Sequence, residues 1–221
     1  MQFILERVSN PDIEPVTLAE AKRHLRVSES VTAEDDDIAS LIVVAREWVE
    51  DYTGRALIDQ TWRLTINQPG FVSGDTVGGY QSSPGYYAGR LLWPDRTGEL
   101  LLRRAPVLAI TSFVSVDDAG AETAVDEDSY ELREADSKWP RLLALNGATW
   151  GAGNFRITFR AGFAERTGSP QQDATVIPAR FKYAIKLLVA HYYENRGDAA
   201  AVMPPAVRAL LHSERSDLGV A

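Results

Sequence analysis

The chain has 221 residues, no cysteine and a formal net charge of −8. The missing cysteines exclude disulfides, thiolate nucleophiles and cysteine-held zinc, and the acidic balance argues against a protein built to grip nucleic-acid phosphates. At this length roughly 70% of the unfolded surface can be buried, so one domain, or a domain carrying an insertion, needs no covalent staple. Met1 to Asn10 show no basic stretch leading into a long apolar run, so no signal peptide is expected. No stretch reaches the ~18 apolar residues of a membrane span, and no membrane partner is expected.

Taken in order, the first predicted element is a short helix. Thr17-Leu-Ala-Glu20 has the capping-box pattern, in which the Thr17 hydroxyl accepts from the Glu20 backbone N–H and the Glu20 carboxylate reaches back to the Thr17 N–H. The helix runs to about Arg26. A second, longer helix follows, with Ile38, Leu41, Ile42, Ala45, Trp48, Val49 and Tyr52 at spacings of three and four. Asp35, Asp36 and Asp37 open it, where carboxylates favour the positive end of the helix dipole. Gly54 stands where a left-handed residue ends it.

The middle of the chain reads as β. Residues 61–66, 111–116 and 154–159 alternate apolar and polar and run into turn-forming clusters, Asp117 to Gly120 after the second and Ala161-Gly162 after the third. Pro69 to Gly89, rich in Gly, Ser and Tyr, is predicted to be a long loop. Helix returns at Pro178, with Phe181, Ile185, Leu188, Val189 and Tyr192 as its apolar stripe, and breaks at Gly197. Pro204-Pro205 opens a last short helix with Val207, Leu210 and Leu211 on one face.

Neither helical end is long enough to stand alone, because each amphipathic helix needs a partner face. The economical fold is α+β: a small helical bundle formed by the N- and C-terminal segments, with an inserted antiparallel β module. Residues 1–59 and 166–221 would make the helical core and 60–165 the insert. The core would enclose Ile38, Leu41, Ile42, Trp48, Tyr52, Phe181, Ile185, Leu188 and Tyr192.

No catalytic constellation emerges. His24, His191 and His212 lie on separate helices with no metal-ligand spacing between them. Glu34 to Asp37 lacks the alternating ligands and central glycine of a calcium loop and reads as helix capping. There is no phosphate-binding Gly-Lys-Ser/Thr loop and no Gly-x-Ser-x-Gly elbow. The aromatic group Tyr80, Tyr86, Tyr87 and Trp93 is of a type that stacks on bases or sugars, but packing onto the sheet is its simpler role. Glu47, Glu50 and Asp51 are expected to face solvent. No enzyme activity, metal or cofactor is therefore expected, and the chain reads as an interaction module.

A resemblance says more. The segment Pro15 to Val27, and Asp36 through Tyr52-Thr-Gly-Arg55, resemble the opening of the phage head–tail connector (adaptor) family of long-tailed phages and gene transfer agents. Arg104 to Ser112, Ile177 to Arg196 and Pro205 to Leu211 resemble a longer branch of it, in the same order and spacing. The resemblance implies a ring, typically of twelve copies, between the portal protein and the stopper or tail-terminator. DNA would pass through the channel without sequence-specific binding, at the head–tail junction of a virion assembled in the host cytoplasm. It also implies that the C-terminal region binds the portal, with Val207, Leu210 and Leu211 as apolar anchors and Arg208 and Arg215 as polar contacts. The alternative is a carbohydrate- or receptor-binding module of the same kind of particle, built on the aromatic loop.

Overall fold

A computed structural model describes residues 2–67, 99–145, 154–163, 174–196 and 203–216. The predicted loop at 69–89 with its aromatic group, and the break at Gly197, lie outside these residues. The fold is α+β, with helices and antiparallel sheets in two compact units. One unit comprises residues 1–10 and 60–161, the other residues 11–59 and 162–221.

The first unit is β. Its larger sheet has five antiparallel strands: β1 (Gln2–Arg7), β2 (Gln60–Asn67), β8 (Asn154–Ala161), β4 (Val107–Val116) and β5 (Glu122–Ala124), in that spatial order. A smaller sheet orders β3 (Glu99–Leu101), β7 (Arg141–Ala144) and β6 (Tyr130–Arg133). The strands obey period two. Trp62, Leu64 and Ile66 on β2 and Ile157, Phe159 and Ala161 on β8 are buried, with half-buried residues between them. Leu100 and Leu142 of the smaller sheet are buried as well. Arg104 stacks over Trp62, 4.5 Å from the ring centroid.

Two expectations change here. The sequence pattern puts residues 1–59 in the helical core, yet Gln2–Arg7 is a strand, paired to β2 from Gln2↔Asn67 to Arg7↔Trp62. As an edge strand it does not show the polar–apolar alternation of a half-buried strand: Leu5 is half-buried while its neighbour Ile4 is 41% exposed. β4 also begins earlier than Thr111, and it carries register shifts between Val107 and Ala109 and between Ile110 and Ser112. Each bulge moves side chains to the other face and erases the alternation that marks a strand in sequence.

The second unit is helical: α1 (Leu18–Leu25), α2 (Asp35–Thr53), α3 (Ala179–Glu194) and α4 (Pro205–His212). Both halves of the capping box form at α1. The Glu20 N–H donates to the Thr17 hydroxyl at 3.2 Å, and the Thr17 N–H donates to the Glu20 carboxylate at 2.9 Å. Gly54 ends α2 at φ +67°. The core gathers Ile38, Ile42, Ala45 and Val49 of α2, Phe181, Ala184, Ile185, Leu188 and Val189 of α3, and Val207 and Leu211 of α4, together with Val16, Ala21, Leu57 and Ile58. At Gly162 (φ +148°) a Cβ would stand 2.4 Å from the Ile58 carbonyl carbon, so the chain runs this close to Ile58 only with glycine.

Candidate functional site

Three clusters of charged side chains tie the helical unit together. In the first, Arg46 is buried between two carboxylates: its Nε donates to Glu14 Oε2 and its Nη1 to Glu50 Oε2, both at 2.8 Å. The other Glu50 oxygen accepts the Leu57 N–H at 2.9 Å. Burial alone would lower the Arg46 pKa, but the two carboxylates outweigh it and the guanidinium is held charged. Glu50 was expected to face solvent and is instead 1% exposed. Its oxygens are engaged by Arg46 and by a backbone N–H, so it ties the chain leaving α2 and does not act as a general base. The only hint in the sequence was an Arg and a Glu four apart on the flank of the apolar stripe.

The second cluster closes the C-terminal segment onto the end of α2. Glu214 accepts from Arg55 Nη1 at 3.0 Å and from Arg180 Nη1 at 2.5 Å. Arg55 lies over the Phe163 ring at 4.6 Å; burial lowers its pKa, and the Glu214 carboxylate works against that. Ser216 donates from its backbone N–H to the Thr53 carbonyl at 2.8 Å, and Arg215 covers the Tyr52 ring at 5.0 Å.

The third links the start of α2 to its neighbours. Glu34 accepts from the Tyr193 hydroxyl and from Arg196 Nη2, which hold its carboxyl below the ordinary value, the tyrosine more strongly. Lys22, nearly fully buried, pairs with Asp35 and donates to the Val31 carbonyl at 2.7 Å. The acidic run of residues 34–37 therefore does interhelical work besides facing the helix dipole.

The residues singled out from sequence fall into distinct places. Ile38, Ile42, Phe181, Ile185 and Leu188 are buried; Leu41, Trp48, Tyr52 and Tyr192 are half-buried against the same cluster. Val207 and Leu211 are 0% exposed in the subunit's own core. They are not free anchors for another protein, which corrects that expectation. Leu210 is half-buried and Arg208 exposed, while Arg215 is turned onto Tyr52. His24 meets Tyr183 edge-on and His191 lies beside Tyr192. Among the described residues no three His, Asp or Glu side chains could hold a metal ion, and no helix is long and apolar enough to cross a membrane.

A helical unit whose buried charges, Lys22, Arg46, Glu50 and Arg55, are held by internal ties reads as a scaffold. Residues 15–79 match the family described as Phage gp6-like head-tail connector protein. A solved chain from the neck of an empty gene transfer agent particle, computed with C6 symmetry, superposes with a TM-score of 0.71 at 27% identity, over 98% of this chain and 97% of that one. The chain is similar to the head–tail connectors. A chain of the native gene transfer agent virion matches this chain equally well, with a TM-score of 0.71 at 27% identity over the same shares. A chain of the native neck computed with C12 symmetry gives 0.67 at 28% identity, again covering 98% and 97%. No curated protein sequence matches this chain.

Proposed function

We propose that the protein is a structural subunit of a twelve-membered ring at the head–tail junction of a phage or gene transfer agent particle. The ring joins the portal protein on one side to the stopper or tail-terminator on the other, and DNA passes through its channel. The observation that carries this reading is the similarity along 98% of the chain to neck proteins of gene transfer agents, the native neck being computed with C12 symmetry. The net charge of −8 suits the channel, since an acidic wall does not hold phosphates as they pass. The subunit acts by assembly and carries no catalytic activity.

The portal contact is assigned to the outer edge of α4, where Arg208 is exposed and Leu210 half-buried. Because Val207 and Leu211 stay in the core, docking uses this edge without unpacking the helix. An Arg208→Glu subunit should fold normally yet fail to join portal-bearing heads. Unchanged attachment of that variant in a pull-down on heads would place the portal contact elsewhere. The glycan-binding alternative rests on Tyr80, Tyr86, Tyr87 and Trp93, outside the described residues, and no described feature favours it.

A further inference from the structure

After α4 the chain turns back onto the helical unit. Ser213 to Ser216, all polar, lie as a strap against the end of α2. Three ties hold it. The Glu214 carboxylate is shared between Arg55 Nη1, at 3.0 Å, and Arg180 Nη1, at 2.5 Å. Arg180 stands in the first turn of α3, which has no side-chain cap and no acidic residue of its own, so Glu214 also brings the negative charge that a helix start favours. Ser216 donates from its N–H to the Thr53 carbonyl at 2.8 Å and from its hydroxyl to the same oxygen at 3.0 Å. A Cβ on Gly54 would stand 2.3 Å from the Ser216 hydroxyl. Between these two residues, Arg215 lies over the Tyr52 ring at 5.0 Å, and Tyr52 stacks on Trp48 at 4.9 Å.

What the strap covers is apolar. Leu41, Val44, Trp48 and Tyr52 follow one another at spacings of three and four along one side of α2. Val44 is already 50% exposed. Uncovering the aromatic pair beside it would make one continuous apolar patch, of the kind that draws protein surfaces together. The cover itself is polar, and that makes it releasable. An apolar side chain would seal the flank for good, whereas ion pairs open to water hold weakly, and the Arg180 side chain is 49% exposed. Arg215 covers the ring with its stem while its charge prefers water. Val207 and Leu211 anchor α4 in the core on their own, so the strap can lift without unpacking the helix before it.

We propose that the Ser213–Ser216 strap is a releasable cover: closed, it shields the Trp48–Tyr52 pair of the free subunit, and lifted, it exposes that pair to a second copy of the chain. The inference concerns the free subunit and does not rest on the portal contact assigned to α4. Glu214→Lys together with Arg215→Glu reverses both charged ties and leaves the net charge unchanged. Light scattering is read at a dilution at which the unaltered chain has the mass of one subunit, 24.4 kDa. The variant should be heavier there and should raise the fluorescence of an added apolar dye. Adding Trp48→Gln should return it to one subunit. Exchange protection of the α3 amides shows that the bundle is still folded. Should that protection be lost, because Arg55 no longer meets a carboxylate, Arg215→Gln with Ser216→Pro is the second variant; it frees Tyr52 and leaves Glu214 on Arg55. A folded variant that stays a single subunit with no gain in dye fluorescence overturns the proposal. So does association that Trp48→Gln does not reverse, which would place the contact on another surface. An unaltered chain that is associated at every dilution has no shielded flank, and overturns it as well.

Discussion

Replacing Leu188 and Leu41 separately by alanine tests how the two long helices meet. Both belong to apolar stripes, but Leu188 is 0% exposed at the centre of the helical core, whereas Leu41 is half-buried and lines an open groove. At Leu188 the lost methyl groups leave a sealed cavity within the core cluster, so the transfer term and the cavity term both apply, at roughly 2–5 kcal/mol. At Leu41 about half the transfer term is lost and water can enter the space, which gives about 1 kcal/mol. A gap of about 2 kcal/mol is roughly a thirtyfold difference in the opening equilibrium. Hydrogen exchange of α2 and α3 amides in the dilute subunit reads that equilibrium for the helical unit separately from the β unit. Equal losses of protection in the two variants would show that the buried face of α2 is not the one described.

Glu50→Ala should destabilise the helical unit by about 3–5 kcal/mol, because it strips a buried guanidinium of one of its carboxylates and leaves the Leu57 N–H without its acceptor; urea unfolding checks this, and a cost near zero would mean that water replaces the carboxylate. The Glu34 carboxyl is held below its ordinary 4.5 by Tyr193 first and Arg196 second. A depressed folded pKa contributes stability that is complete above the unfolded value and is lost as pH falls through the folded one. Exchange protection at the end of α3 should therefore fall on acidification below pH 4.5, and Glu34→Gln should abolish that dependence. Truncation before Pro204 removes the burial of Val207 and Leu211, worth roughly 1.5–3 kcal/mol each, and should lower the melting temperature of the helical unit, as calorimetry would record; an unchanged melting point would mean that α4 does not pack on its own bundle.

The four helices were legible because their signals are local: a capping box at Thr17, three aspartates opening α2, a glycine ending it, and prolines before α3 and α4. The β unit was legible where alternation survives, on β2 and β8. It was not legible on β1, an edge strand without that alternation, or at the start of β4, where bulges break the period. The charged clusters were missed for another reason. Glu214 reaches Arg55 from 159 residues away, and nothing in either neighbourhood announces the other. The destination of α4 was misread in the same way. A short amphipathic helix advertises that it needs a partner, and the sequence does not say whether the partner is its own bundle or another protein.

The α2 stripe is about as wide as one packing face, and the fold does not bury it evenly. Ile38, Leu41, Ile42, Ala45, Trp48, Val49 and Tyr52 fall within about 120° of the helix circumference. The fold buries one side of that stripe, through Ile38, Ile42, Ala45 and Val49. It leaves the other flank, Leu41, Trp48 and Tyr52, half-exposed, with Trp48 stacked on Tyr52 at 4.9 Å and Arg215 drawn over the outer ring. Exposed Val44 continues that flank towards solvent. That flank is closed from within the subunit: Trp48, Tyr52 and Arg215 cover one another, so the C-terminal segment completes the stripe that α3 and α4 begin, and Val44 lies beyond it.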